Sequence, residues 1–154
     1  DSHAGPTPME TRKDALLAAS RVVVEVNRIA TMFPDNARGT VGFMQVRPNS
    51  RNVVPGEVRM TVDLRNAKDA TLTAMVDELR RCVARIAAEC RVEAKLEEVV
   101  YFPPSAFTPE LVASVREGAE AFGYSHRDIV SGAPHDALYM ARIAPTAMVF
   151  VPCE

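Results

Sequence analysis

The chain has 154 residues, enough for one well-buried core or for one small domain and part of a second. Apolar residues make up 47% and charged residues 25%, and 18 Lys/Arg stand against 20 Asp/Glu for a formal charge of -2. Acid and base are interspersed, which excludes the basic stripe of a nucleic-acid surface, and no apolar run approaches the roughly 20 residues of a membrane span.

The chain opens on a histidine in a small-residue turn, Ser2-His3-Ala4-Gly5-Pro6-Thr7-Pro8-Met9, ahead of Arg12-Lys13-Asp14-Ala15-Leu16. No initiator Met precedes it and no strand delivers the turn, so the expectation is a fragment of a larger protein. A helix is predicted over about residues 14–31, where Leu16, Ala19, Val22, Val23, Val26 and Ile29 recur at helical spacing. Two starts compete: Thr7-Pro8-Met9-Glu10 reads as a capping box with proline at the first helical position, and Asp14 is an equally good cap. Pro34, in Phe33-Pro34-Asp35-Asn36, ends the element.

Residues 41–47 read as a strand, and residues 57–65 as the clearest one. There Val58, Met60, Val62 and Leu64 point one way, while Glu57, Arg59, Thr61, Asp63 and Arg65 point the other. Pro48-Asn49-Ser50-Arg51-Asn52 and Pro55-Gly56 make an irregular connection between two neighbouring strands. A second helix is predicted over about 69–90, with Leu72, Met75, Val76, Leu79, Cys82, Val83, Ile86 and Cys90 as its buried stripe. A further strand is predicted over about 91–101. Helix, strand, strand, helix, strand, with one strand before residue 1, is the ferredoxin-like split βαββαβ unit.

Pro103-Pro104-Ser105 divides the chain into residues 1–102 and 103–154. Thr108-Pro109-Glu110 opens a helix and Gly123 caps it. A loop over Ser131–Asp136, a short helix to about Ile143 and a strand over 146–151 follow, as in part of an α/β domain. The expected fold class is therefore α+β: a ferredoxin-like unit without its first strand, then a partial α/β segment. Tyr101, Phe102 and Phe107 flank the boundary and read as packing between the two parts. Three cysteines, Cys82, Cys90 and Cys153, show no framework spacing and fit a reducing, cytoplasmic compartment. Cys82 and Cys90 read as small buried hydrophobes.

Several side chains could carry chemistry. His3 sits where side-chain bulk is low, and an imidazole N–H can donate to a developing oxyanion. Read from composition alone it is a turn histidine that caps or faces water. Arg65 ends the polar face of the best strand, and a guanidinium fork binds a carboxylate bidentately; Asn52, in the preceding turn, adds an amide donor. A strand-end Arg is otherwise a solvated edge residue. His135 and Asp136 stand where a short helix begins, a place suited to an anion. No His-x-Asp or His-x3-His spacing occurs, so these residues do not read as a metal site. His126, Arg51 and Arg59 read as surface, and Asp14, Asp63 and Glu57 as structural charges.

Four stretches in order resemble the hydantoinase/carbamoylase branch of the M20 metallopeptidase-like amidohydrolases: the His3 turn, Asn52-Val53-Val54-Pro55-Gly56-Glu57, Asp63-Leu64-Arg65, and Ser131-Gly132-Ala133-Pro134-His135-Asp136-Ala137. The resemblance covers nearly the whole chain. It implies a catalytic α/β domain with an inserted lid, or dimerisation, domain; residues 1–102 would be most of the lid and the rest a return into the catalytic domain. It implies hydrolysis of the C–N bond of N-carbamoyl amino acids, L-α or β, to amino acid, ammonia and carbon dioxide. Allantoate amidohydrolase is the nearest alternative, then an aminoacylase or peptidase.

The resemblance also implies two divalent metal ions, Zn or Mn, whose ligand segments are not in this sequence. The 154 residues alone are thus expected to bind no catalytic metal and to be inactive. His3 would steady the tetrahedral intermediate in a partner subunit's site, Asn52 and Arg65 would hold the substrate carboxylate across the interface of a homodimer formed through the lid, and His135 would help orient the substrate. Pro134 departs from the glycine common there, and proline has no N–H to donate. A rival of another class is a non-catalytic ferredoxin-like association module.

Overall fold

The structure, a computed structural model, describes residues 1–33 and 36–152. The helix stop expected at Pro34, and Cys153, lie outside them. The first helix, α1 (Ala15–Met32), starts at the later of the two candidate caps. Asp14 Oδ1 accepts from the Leu16 N–H at 2.9 Å and the Leu17 N–H at 3.0 Å, satisfying two donors that a helix start leaves open. The earlier candidate forms only a 3-10 turn, Met9–Thr11.

Two long strands follow, β2 (Arg38–Arg47) and β4 (Glu57–Arg65), paired antiparallel. (β1, Ser2–His3, and β3, Val53–Val54, belong to the site below.) Register puts Gly39 opposite Leu64, Val41 opposite Val62, Met44 opposite Met60 and Val46 opposite Val58. An irregularity between Val41 and Phe43 absorbs Gly42, so apolar side chains share one face on both sides of it. The other face carries Thr40, Gln45, Arg59, Asp63 and Arg65, all exposed.

The second helix, α2 (Asp69–Cys90), runs antiparallel to α1, as the cross-helix ion pairs Arg21–Glu89, Arg85–Glu25 and Arg28–Glu78 show. Both helices cover the apolar face of the sheet. Ala18, Val22, Val26 and Ile29 from α1 meet Met75, Leu79 and Ile86 from α2, with Val41, Met60, Val62 and Leu64 packed against them. The helix comes close to the strands: a Cβ on Gly39 would lie 2.9 Å from the Val26 carbonyl oxygen. Cys82 lies buried at this helix pair, where burial pushes its thiol pKa up, and Cys90 is half-buried; both are free thiols.

The chain divides into two compact units, Asp1–Val100 and Tyr101–Glu154. In the second, α3 (Pro109–Ala121) begins after Thr108. The Thr108 hydroxyl does not cap the helix, because it accepts from the Thr146 N–H at 2.9 Å. Gly123 (φ 70°) ends α3 in the left-handed conformation that glycine tolerates. The short α4 (Asp136–Met140) stops before residue 143 and continues as turns, with the Ile143 N–H on the Met140 carbonyl. His126 pairs with Glu120 at 3.4 Å near the end of α3.

Two predicted strands are corrected. Residues 91–101 form no ladder: after Val92, which packs against the core, the segment runs on with Leu96, Val99 and Val100 exposed. In a split βαββαβ unit the last strand lies beside the first, and among the described residues no first strand pairs with this segment. Residues 146–151 also form no ladder; Thr146 accepts from the Thr108 N–H at 2.9 Å. The architecture is α+β with two small antiparallel sheets, β1–β3 and β2–β4. The helix–strand–strand–helix order is present, and among the described residues the outer strand pairing of a ferredoxin-like unit is not.

Every buried apolar side chain among the described residues belongs to the first unit. Tyr101 and Phe102 are exposed, and Phe107 is half-buried. No helix of the described residues is long and apolar enough to cross a membrane.

Candidate functional site

His3 is delivered by a short ladder that the sequence did not announce. β1 (Ser2–His3) pairs antiparallel with β3 (Val53–Val54), His3 opposite Val53 and Ser2 opposite the buried Val54. The next step is the Ala4 N–H on the Asn52 carbonyl oxygen at 2.8 Å. His3 and Asn52, 49 positions apart in the numbering, thus stand one residue apart across a ladder, and both are exposed. The Asn52 side chain is held in turn by the Ser50 hydroxyl, which donates to its amide oxygen at 3.0 Å.

The turn after His3 is tied at several points. The Gly5 N–H donates to His3 Nδ1 at 3.0 Å, and the Thr7 hydroxyl donates to the His3 carbonyl at 2.6 Å. The half-buried Arg12 donates from Nη2 to the Ala4 carbonyl at 2.6 Å and to the Thr7 carbonyl at 2.9 Å, and from Nε to Thr7 again at 3.1 Å. Arg91, in the left-handed conformation at the end of α2, donates to the carbonyls of Glu10 and, at 3.1 Å, of Arg12. Neither arginine stood out in the sequence, since a guanidinium bound to main-chain carbonyls leaves no residue pattern.

Arg65 ends β4, where its fork closes on its own strand neighbour. Nε donates to Asp63 Oδ1 at 2.9 Å and Nη2 to Oδ2 at 2.6 Å. The pair holds the Asp63 carboxyl below the usual carboxylate range and raises Arg65 in return. Asp63, read as a structural charge, is therefore the residue that aims Arg65. Next to it Asn66, buried, accepts the Lys68 N–H at 2.8 Å on its side-chain oxygen and turns the chain into α2.

Arg65 and Asn52 do not meet. Eight strand steps separate Glu57 from Arg65, roughly 26 Å, and Asn52 lies beyond the Glu57 end, where the Gly56 N–H bonds the Arg47 carbonyl at 3.1 Å. α1 gives the same answer: the Ala15 N–H bonds the Pro55 carbonyl at 3.0 Å, while Val26 and Ala30 cover Gly39 and Leu64, about 20 Å further along the helix. Within one chain, strand length therefore keeps Asn52 and Arg65 apart.

His135, in the second unit, stands just before α4 and is half-buried. Its Nε2 lies 2.7 Å from the Ser131 hydroxyl, and its ring meets Phe150 edge-on at 5.8 Å between centroids. Among the described residues no group of three or more His, Cys, Asp or Glu side chains could hold a metal ion.

Residues 5–154 match the model of peptidase family M20/M25/M40. The chain belongs to that family. It is 41% identical over 97% of its length to an N-carbamoyl-L-amino-acid amidohydrolase of Paenarthrobacter aurescens, of which it covers 36%. It is 34% identical over 98% of its length to an allantoate amidohydrolase of Bacillus subtilis, covering 37% of that protein. The crystal structure of an amidase of the hydantoinase/carbamoylase family from Burkholderia multivorans superposes with a TM-score of 0.96 at 60% identity, covering 99% of this chain and 37% of that one. This M20 chain thus spans little more than a third of the length of the relatives it matches.

Proposed function

We propose that this M20 chain is the part of a carbamoylase that presents His3, Asn52 and Arg65 to an N-carbamoyl amino acid, L-α or β, whose C–N bond the whole enzyme hydrolyses to amino acid, ammonia and carbon dioxide. The observation that carries the substrate class is the 41% identity to an N-carbamoyl-L-amino-acid amidohydrolase, against 34% to an allantoate amidohydrolase. Allantoate, with its own carboxylate and ureido groups, is the second reading.

In this reading His3 donates a ring N–H to the oxyanion as the carbamoyl carbon becomes tetrahedral. Asn52 and Arg65 recognise the carboxylate end of substrate, and His135, fixed by Ser131, helps orient it. Because one chain cannot bring Asn52 and Arg65 together, two copies are needed around each substrate, which supports a homodimer. The outer edge of β2, unpaired among the described residues, supplies a surface for such pairing. The two divalent cations of the proposed enzyme, Zn or Mn, do not fit the described residues and would be held by others. Free Cys82 and Cys90 support a reducing cytoplasm as its location.

His3→Ala in the whole enzyme tests the reading. Loss of one oxyanion donor lowers kcat about 100- to 1000-fold, about 2.7–4 kcal/mol. A loss smaller than about tenfold, 1.4 kcal/mol, removes His3 from that role.

A further inference from the structure

We propose that Arg12 is a positioning residue for His3: by clasping the Ala4–Thr7 turn it keeps the Gly5 N–H on His3 Nδ1 and so fixes which ring nitrogen carries the proton. The argument starts from the ring. A nitrogen that accepts a hydrogen bond has no proton of its own, so with the Gly5 N–H on Nδ1 at 3.0 Å a singly protonated His3 carries its hydrogen on Nε2. That leaves Nε2–H as the ring's donor, free to point at an oxyanion.

A main-chain N–H holds a tautomer only while its own backbone is held. Gly5 lies between the two carbonyls that Arg12 grips, those of Ala4 and Thr7, and three N–H···O bonds of 2.6–3.1 Å bridge them. The Thr7 hydroxyl closes the turn onto the His3 carbonyl at 2.6 Å. Arg12 is itself tied down, since Arg91 from the end of α2 donates to its carbonyl at 3.1 Å. The fit at Gly5 is also close: a Cβ there would lie 3.3 Å from both Cε1 and Nδ1 of His3. Lysine cannot substitute for Arg12, because a single ammonium lacks the planar fork that reaches two carbonyls at once.

The inference rests on the proposed oxyanion role of His3 but is read separately from it. The chain is labelled with 15N in its imidazole rings, and the three histidines are assigned with His126→Gln and His135→Gln. At mildly alkaline pH, wild type is expected to show an accepting Nδ1 and a protonated Nε2 on His3. Arg12→Lys and Gly5→Ala are expected to move both nitrogens towards a mixture of tautomers, whereas Asp14→Ala, which weakens α1 without touching the turn, leaves them unchanged. A wild-type ring already mixed or protonated on Nδ1 overturns the proposal, as does Arg12→Lys with wild-type helix content and an unchanged ring. If Arg12→Lys does not fold, an unchanged ring in Gly5→Ala overturns it instead.

In the whole enzyme, Arg12→Lys is expected to lower kcat with KM unchanged. An altered ring with unchanged kcat sinks the oxyanion role and leaves the clasp; an unaltered ring sinks the clasp and leaves the role.

Discussion

Gly39→Ala tests how tightly α1 is seated on the sheet that carries the site. Its new methyl would sit 2.9 Å from the Val26 carbonyl oxygen, 3.0 Å from Ala30 Cβ and 3.3 Å from Leu64 Cδ2. Leu64 can rotate, but Val26 and Ala30 belong to the helix, so relief means lifting α1 as a body by a few tenths of an ångström. Overpacking of this kind costs about 1–3 kcal/mol. For a unit of this size each kcal/mol moves Tm by about 4–8 °C, so the expected fall is about 4 °C at least and about 24 °C at most. Gly42→Ala is the control, because a Cβ there meets nothing within 4 Å. Removing the glycine's freedom in the unfolded chain is worth a gain of about 0.4–1 kcal/mol where the backbone allows alanine. Urea unfolding followed by circular dichroism gives both midpoints, at unchanged slope. If Gly39→Ala lies within about 0.5 kcal/mol of wild type, or if Gly42→Ala loses as much, close approach of the helix is not what Gly39 provides.

Acid should loosen the helix pair. Hydrogen bonds from Arg28, and next from Arg81, hold the Glu78 carboxyl at about 2 against an ordinary 4.5; Glu25, chiefly through Arg28, and Glu89, chiefly through Arg21, are lowered too. A carboxyl depressed by folding stabilises above its unfolded pKa and loses that contribution as pH falls through the folded one, so Tm is expected to drop between pH 4.5 and about 2. Glu78→Gln should flatten the fall, and an equally steep profile would remove Glu78 as a cause. Asp14→Ala should cost about 1 kcal/mol by denaturant midpoint, since two N–H groups lose their acceptor; no change would mean water replaces them fully. Mixing His3→Ala with Arg65→Ala subunits should restore roughly a quarter of wild-type turnover, because half the dimers are mixed and each has one pocket with both residues intact. No restoration would mean that one copy serves each pocket with both ends.

The helices and β4 were readable because each has its own period: α2 and β4 begin and end where their patterns do, and Asp14 capped α1 as its residue type suggested. Residues 91–101 and 146–151 also looked extended, but alternation shows only that a segment suits a sheet. A strand exists when another backbone accepts its hydrogen bonds. The opposite error occurred at Ser2–His3 and Val53–Val54, where two residues on each side are too few to show a period. His3, Asn52, Arg65 and His135 could be nominated by residue type and family likeness. Their spatial grouping could not, because it depends on the length of β4 and on a contact between residue 4 and residue 52. The work of Arg12 and Asp63 is geometric and leaves no trace in residue order.

Separation of His3 from Arg65 makes the first unit a seesaw. Both sit on one compact unit of two helices and two small sheets, in which β4 alone spans roughly 26 Å. Pivoting it by about 10° about its middle swings each tip by about 2 Å, in opposite senses, and about 1 Å of misplacement is enough to lose most of a catalytic contact. One tip cannot advance on a substrate without the other retreating, so small tilts of a single rigid piece are felt at two places at once.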